Sequence, residues 1–99
     1  MAKFSIKFTR SALRQLHSYR KSEQKLIVEN VRKQLSDTPL EITRNRKSIR
    51  ENPLSRWELR VRKYRVFYNV DEIESIVEIK AVGHKVHNKL YIDGKEYEL

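Results

Sequence analysis

Three consecutive runs of alternating apolar and polar residues lie between positions 56 and 82, and they restrict the possible folds more than any other feature. In the first run, Trp57, Leu59 and Val61 alternate with charged residues. The second run covers positions 64–70 and the third covers 76–82, with only short polar links between the runs. A period of two is typical of strands, and short links predict an antiparallel meander with one apolar face.

The first 36 residues predict one strand followed by two helices. Residues 4–8 alternate like a half-buried strand. Thr9 or Ser11 is suited to cap a first helix, and Ser22 with Glu23 marks the start of a second. Apolar residues recur in both segments at close to helical spacing, and the proline at position 39 ends the second. We therefore expect an antiparallel helix hairpin that covers the apolar face of the sheet.

The remaining segments complete an α+β fold in a single domain that spans residues 1–99. Residues from about Asp37 to Pro53 have no strong period and predict a loop, with a short strand expected near Ile42. Asp93 and Gly94 stand between two alternating runs, which is typical of a two-residue turn. A C-terminal hairpin is therefore expected after the meander.

The charge of the chain favours a polyanionic partner. The 22 Lys and Arg residues outnumber the 13 Asp and Glu residues, for a formal net charge of +9. Between Arg44 and Arg65 there are nine basic residues and only two acids, Glu51 and Glu58. Nucleic acid, an anionic membrane surface and an acidic protein all suit such a charge, and so does a merely solvated basic surface.

Other classes of protein are disfavoured by what the sequence lacks. Without cysteine, the chain has neither a disulfide framework nor a thiolate metal site. No apolar run approaches the roughly 20 residues that cross a bilayer, and the first residues do not resemble a signal peptide. A cytoplasmic location without membrane contact is the resulting expectation.

Several side chains of the predicted meander and of the segment that follows it suit metal-independent cleavage of RNA. This reaction removes a proton from the 2′-hydroxyl, stabilises charge on the phosphorus and protonates the departing 5′-oxygen. Arginine suits the second task because its fork matches phosphate oxygens, while Lys, His, Glu and Tyr suit proton transfer. In a chain this basic, chance clustering explains such a set equally well. The candidates are Glu58, Arg60, Arg65, His84, Lys85, His87 and Tyr91.

Parts of the predicted meander resemble a known family. Arg56-Trp57-Glu58-Leu59-Arg60-Val61 and Lys63-Tyr64-Arg65-Val66-Phe67-Tyr68 resemble the paired central strands of the RelE/ParE superfamily of toxins from toxin–antitoxin systems. The run Ile79-Lys80-Ala81-Val82-Gly83-His84-Lys85 resembles the last core strand. The resemblance covers nearly the whole chain and implies a four-stranded antiparallel sheet beside two helices. It also implies an antitoxin partner and one of two activities: RelE-like members cut mRNA on the ribosome, and ParE-like members poison DNA gyrase.

The resemblance also assigns roles to individual residues. Arg65 matches the phosphate-stabilising arginine of the family, Lys85 a second catalytic arginine of RelE, and Tyr91 its C-terminal tyrosine. Arg56 replaces one active-site lysine of RelE and keeps the charge. Glu58 occupies the position of the other lysine, which favours a glutamate base instead of a lysine base.

The leading hypothesis is a ribosome-dependent mRNA endonuclease that acts by 2′-hydroxyl attack and needs no metal or cofactor. Glu58 is the expected base, and His84 or His87 the expected acid. The expected partners are the cognate antitoxin, the ribosome and mRNA. A ParE-like gyrase inhibitor and a catalytically degenerate nucleic-acid-binding module are the alternatives. The expected RNA-binding residues are Arg44, Arg46, Lys47, Arg50, Arg56 and Arg60.

Overall fold

A computed structural model describes residues 3–98 and confirms the expected α+β class. The order of elements is the predicted one: a strand, two helices, a loop, the meander and a terminal hairpin. The elements are β1 (Ser5–Phe8), α1 (Arg10–His17), α2 (Lys21–Leu35), β2 (Arg46–Ser48), β3 (Trp57–Val61), β4 (Tyr64–Asp71), β5 (Ile76–Val86), β6 (Lys89–Ile92) and β7 (Lys95–Tyr97). Within the described residues, neither helix is long and apolar enough to cross a membrane.

The strands form one sheet in the order β2-β3-β4-β5-β6-β7, in which all neighbours are antiparallel. β1 pairs in parallel with the first half of β5, while β6 pairs with the last residues of β5. The expected sheet of four antiparallel strands is therefore too small and lacks the parallel pair. The length of β5 explains the larger sheet, because its 11 residues offer pairing positions to β1 and β6 as well as to β4.

Both helices begin close to the predicted residues. The Thr9 hydroxyl accepts a hydrogen bond from the Ala12 amide at 3.1 Å, so Thr9 caps α1. α2 begins at Lys21, just before the predicted Ser22, and the Glu23 carboxylate accepts a bond from the Arg20 amide at 3.0 Å. A carboxylate in the first turn stabilises the helix because the free amides there carry partial positive charge.

The main core lies between the helices and one side of the sheet, which we call the helix face. Ala12 and Leu16 of α1 and three apolar residues of α2 are buried against inward residues of β3, β4 and β5. Trp57 packs at the edge of this core, and its ring stacks on Tyr68 at a centroid distance of 6.0 Å. The alternation of β3 therefore directs Leu59 inward and Arg60 to the other side.

The other side of the sheet, which we call the open face, carries a second and smaller apolar cluster. Phe67, Ala81, Leu90 and Ile92 are buried there, and partly buried apolar residues from the loop before β3 and from β7 pack against them. This cluster covers only part of the open face. The neighbouring part, at the ends of β3 and β4, carries charged residues.

Two local expectations need correction. The short strand of the loop lies at Arg46–Ser48 and not near Ile42, which is 69% exposed. Arg46 sets the position of this strand, because it is buried and pairs with Leu59 of β3. The last strand of the meander also continues beyond Gly83 to Val86.

The predicted C-terminal hairpin is present. Asp93 and Gly94 form its turn with positive φ angles of 56° and 76°. This left-handed conformation at both central residues is the one that a two-residue hairpin turn favours. The turn fixes the pairing of β6 with β7, so that Leu90 faces Tyr97.

Candidate active site

Strands β3, β4 and β5 and the residues around β2 surround a cavity of about 160 Å³ on the open face. Five of its lining side chains are cationic, and only one is acidic. We call it the basic cavity and define it by Arg44, Asn45, Lys47, Glu58, Arg60, Arg65 and Lys85. Residues separated by as many as 41 positions in sequence thus meet in a space suited to a phosphate group.

Arg60 and Arg65 stand directly opposite each other across β3 and β4. Both line the basic cavity, so the two guanidinium groups share one side of the sheet. Like charges in this relationship destabilise a sheet. An anion bound between them would remove that repulsion, and the pair is therefore the clearest sign of an anion site.

The Arg65 side chain is held in place by the backbone. Its Nη1 atom donates to the carbonyl oxygens of Arg62 and Tyr64 at 2.8 and 2.9 Å. Burial lowers the pKa of the Arg65 guanidinium, Glu58 opposes this shift and Arg60 adds to it. An arginine remains a cation at neutral pH, so Arg65 offers a fixed charge to a ligand.

Glu58 is the acid of the basic cavity and lies mostly buried, with its side chain 9% exposed. Lys47 faces it across β2 and β3, and the Lys47 Nζ atom lies 3.7 Å from Glu58 Oε2. A carboxylate is one of the groups that act as general bases in enzymes. Such a group can accept a proton from a hydroxyl placed beside it.

Lys85 reaches the basic cavity from β5. Arg65 pairs with Gly83, and Lys85 follows two positions later on the same side of the strand. Gly83 cannot be replaced without movement, because a Cβ atom there would lie 2.5 Å from the Tyr91 carbonyl oxygen. The structure therefore brings Arg65 and Lys85 together, as the hypothesis of one phosphate site requires.

The structure does not bring His84 and Tyr91 to this cavity. Both residues lie on the helix face, since His84 alternates with Lys85 and pairs with Tyr64 and Tyr91. Their rings stack at a centroid distance of 5.8 Å, and Tyr19 of the segment between the helices packs edge-on against His84. The expectation that His84 and Tyr91 share a site with Arg65 is therefore wrong in its geometry, because neighbouring strand residues face opposite sides.

A hydrogen bond of 2.7 Å joins the Tyr19 hydroxyl to His84 Nδ1. Burial and the charges of Glu23 and Asp93 raise the pKa of Tyr19 to about 12, so the hydroxyl keeps its proton. Burial lowers the pKa of His84, and Lys63 lowers it further. The hydrogen bond between Tyr19 and His84 thus joins the segment between the helices to the end of β5.

Arg46 is a structural residue and not part of the predicted RNA surface. It is 8% exposed, and its guanidinium donates to the carbonyl oxygens of Gln34 and Thr38 and to the Thr43 hydroxyl. These groups end α2 and begin the loop that follows. Arg46 therefore fixes the loop that carries Arg44 and Lys47, and its own charge is directed inward.

Three other predicted residues lie outside the basic cavity. Arg56 is exposed and lines a separate cavity of about 530 Å³ at the other end of β3, together with Lys80. Arg50 is exposed in the loop, where its carbonyl accepts a bond from Asn52 at 2.7 Å. His87 is exposed in the turn between β5 and β6, with a positive φ of 50°.

Two residues near the site were missed by the sequence reasoning. The Asn45 carbonyl accepts a bond from the Arg60 amide at 2.7 Å and so ties the loop to β3. Tyr97 lines a second cavity that also contains Glu58 and Lys85. The Asp93-Gly94 turn could have indicated the position of Tyr97, because a two-residue turn places Tyr97 opposite Leu90.

A two-helix layer on a mostly antiparallel sheet, with a cationic cavity on the uncovered side, defines the class of small RelE-like α+β proteins. A chain of the toxin–antitoxin complex RelBE2 from Mycobacterium tuberculosis is similar, with a TM-score of 0.72 and 29% identity over 84% of this chain and 99% of that one. The archaeal RelE–RelB complex from Pyrococcus horikoshii contains a chain with a TM-score of 0.69 and 17% identity, covering 86% and 98%. A mutant of Escherichia coli RelE in the free state matches with a TM-score of 0.65 and 22% identity, covering 85% and 84%. The last two likenesses concern the fold alone.

The family profile described as "ParE toxin of type II toxin-antitoxin system, parDE" matches residues 6–88. The chain therefore belongs to the ParE toxin family of type II toxin–antitoxin systems, within the RelE/ParE superfamily, and the resemblance seen in its sequence is confirmed. No curated protein sequence matches it significantly.

Proposed function

We propose that this toxin is a metal-independent endoribonuclease that cleaves mRNA on the ribosome. The observation that carries the proposal is the directly opposed pair of Arg60 and Arg65, which faces the same cavity as Lys85 and the buried Glu58. Fixed cations around a phosphate-sized space supply the electrostatic stabilisation that phosphodiester cleavage needs. Glu58 adds the proton acceptor.

The reaction would proceed in one displacement at phosphorus. The Glu58 carboxylate takes the proton of the 2′-hydroxyl, and the 2′-oxygen attacks the adjacent phosphorus. Arg60 and Arg65 stabilise the negative charge on the non-bridging oxygens. The bond to the 5′-oxygen breaks, and Lys85 donates a proton to that oxygen. The products are a 2′,3′-cyclic phosphate and a free 5′-hydroxyl.

The assignment of the acid differs from the histidine expected from the sequence. His84 lies on the opposite face of the sheet, where its Nδ1 atom is hydrogen-bonded to the Tyr19 hydroxyl. His87 lies in an exposed turn and does not line the basic cavity. Lys85 lines the cavity and carries an exchangeable proton, and it is therefore the proton donor that we assign.

The proposed partners follow from the same surface and from the solved relatives. Arg44 and Lys47 extend the positive charge along β2 and would contact ribosomal RNA through its phosphates. The solved relatives include complexes of RelE-type toxins with their RelB antitoxins. We propose that a cognate antitoxin likewise binds and neutralises this chain.

The test is a purified translation reaction in which the ends of a defined mRNA are mapped after adding the toxin. Wild-type protein is expected to produce discrete new ends that require the ribosome. Arg65→Ala should lower the cleavage rate by about two to three orders of magnitude, the loss typical of one group that stabilises transition-state charge. Arg56→Ala is the matched control, because it removes the same charge from an exposed residue just before β3 that lies outside the basic cavity.

The alternative function for the same fold is inhibition of DNA gyrase. In that case the mRNA would stay intact at all toxin concentrations, while DNA supercoiling by purified gyrase would be inhibited. Cleavage by Arg65→Ala at the wild-type rate would contradict the assignment of the basic cavity as the active site.

A further inference from the structure

A second cavity, of about 430 Å³, adjoins the basic cavity on the open face. Glu58 and Lys85 line both cavities and form their common wall. The remainder of the second cavity comes from the β5–β6 turn and the C-terminal hairpin. We call it the Tyr97 cavity, since its aromatic residue is Tyr97, and its other residues are Asn88, Lys89, Leu90, Glu96 and Glu98.

Strand pairing places Tyr97 in line with the basic cavity. Lys85 pairs with Leu90 of β6, and Leu90 pairs with Tyr97 of β7, so the three residues follow one another across the open face. Neighbouring strands lie about 4.8 Å apart, which puts the Tyr97 backbone about 10 Å from that of Lys85. The sugar and base of a single nucleotide extend over a similar distance from its phosphate.

Tyr97 is packed firmly enough to serve as a platform. It is partly buried and packs against the apolar cluster of Phe67, Ala81, Leu90 and Ile92. The remainder of the side chain stays accessible within the cavity. A supported aromatic ring beside a cationic groove is the arrangement by which proteins stack single-stranded bases.

We propose that the Tyr97 cavity is a nucleobase subsite, which holds the base of the nucleotide whose phosphate lies in the basic cavity. The inference rests on the proposed function, because it takes the ligand of the basic cavity to be an RNA phosphate. Tyr97 acts as a positioning and specificity-determining residue, and it takes no proton in the reaction.

We expect one exposed residue of the lining, Glu98, to influence which base the Tyr97 cavity prefers. Glu98 is exposed and lines the cavity, and a carboxylate is an acceptor of hydrogen bonds only. Guanine presents two adjacent N–H donors on its Watson–Crick edge, which one carboxylate can accept together. Uracil presents one. The cavity is therefore expected to favour guanine over uracil.

Equilibrium binding to the full chain tests this inference without requiring cleavage. The probes are inorganic phosphate, guanosine 3′-monophosphate and uridine 3′-monophosphate, titrated by calorimetry or by amide chemical shifts. Tyr97→Leu keeps an apolar side chain against the cluster but removes the ring, whereas Tyr97→Phe keeps the ring and removes only the hydroxyl. Glu98→Gln alters an exposed residue and is not expected to affect folding.

Wild-type protein should bind the guanosine nucleotide more tightly than phosphate. Tyr97→Leu should lower the nucleotide affinity by about fivefold to 150-fold, the range for loss of one base stack, and leave the phosphate affinity unchanged. Tyr97→Phe should retain the wild-type affinity, and Glu98→Gln should narrow the preference for guanosine over uridine. Unchanged nucleotide affinity in Tyr97→Leu would overturn the subsite.

The outcome is separable from that of the proposed function. If mRNA cleavage is observed but Tyr97→Leu alters neither nucleotide affinity nor the cleavage positions, the subsite is refuted and the endonuclease stands. If no mRNA is cleaved but nucleotide binding still depends on Tyr97, the endonuclease is refuted and the subsite stands.

Discussion

Arg60 of β3 and Arg65 of β4 occupy directly opposed positions on the open face of the sheet. Their repulsion weakens the folded state of the free protein, and the Arg65 side chain is nevertheless fixed by the carbonyl oxygens of Arg62 and Tyr64. We propose that a cavity that keeps two like charges together binds an anionic ligand. Stability and binding are therefore expected to respond in opposite directions when one of the two charges is removed.

Replacement of Arg60 by glutamine should raise the free energy of unfolding by about 0.2–1 kcal/mol at low ionic strength, because a like-charge pair is removed. The same change should weaken phosphate binding. Urea unfolding at low and high salt is the measurement, and the difference between the proteins should shrink as salt screens the charges. A variant less stable than the wild type at low salt would show that the pair does not repel significantly.

Arg46→Ala should destabilise the protein by at least about 2 kcal/mol, because buried carbonyl groups at the end of α2 lose their donor. Arg44→Ala is the matched control, since it removes the same charge from an exposed position and should change stability by less than about 0.5 kcal/mol. Chemical denaturation of both variants distinguishes them. Equal stability of the two would mean that Arg46 does not anchor the loop.

His84 should make the protein sensitive to mild acid. Burial lowers its pKa in the folded state below the ordinary value of 6.5, so the unfolded chain binds a proton more readily. The contribution of the neutral His84 ring to the free energy of unfolding is fully present above pH 6.5. It is lost as the pH falls through that value toward the pKa of the folded state. Melting temperatures of the wild type and of His84→Gln, measured between pH 7.5 and about pH 5, should show a smaller loss in the variant. An identical pH dependence would exclude His84 as its source.

Gly83→Ala should cost about 1–3 kcal/mol, because the added methyl group meets the Tyr91 carbonyl oxygen and the Ile92 side chain. The amide chemical shifts of β6 should change, since that strand has to move away from β5. Gly94→Ala provides the comparison: its Cβ would meet no atom within 4 Å, but the residue has a positive φ of 76°. Backbone strain at Gly94 should therefore destabilise the protein without shifting the amides of Tyr91 and Ile92.

Much of the fold could be predicted because its local patterns agree with its tertiary contacts. The alternation around Trp57 and Leu59 has one apolar face, and this face became the helix face. Thr9 caps α1 as its position suggested, and Asp93 with Gly94 forms the expected turn. In each case the residues that determine the element lie within that element.

The errors arose where distant residues decide the outcome. In the sequence Arg46 looks like one more charge in a basic run, but its acceptors lie at Gln34 and Thr38, twelve and eight positions earlier. The parallel pairing of β1 with β5 likewise depends on the length of β5. No local sequence pattern predicts either contact.

The candidate site was predicted in part for a related reason. The family resemblance placed Arg65 and Lys85 in one site, and the basic cavity contains both. Strand alternation directs His84 away from Lys85, and the sequence analysis missed this because it ended the third strand at position 82, whereas β5 continues to Val86. The register of the C-terminal hairpin then turns Tyr91 to the helix face and Tyr97 to the open face.

The most direct test of RNA cleavage by the basic cavity uses an mRNA that carries a single 2′-deoxynucleotide immediately before the mapped cleavage position. If Glu58 activates the 2′-hydroxyl as proposed, ribosomes programmed with this mRNA should leave that position intact, while the all-ribose mRNA is cut to give a 2′,3′-cyclic phosphate. Cleavage of the deoxy-substituted mRNA at the same position and rate would contradict the mechanism, because no 2′-oxygen would be present to attack.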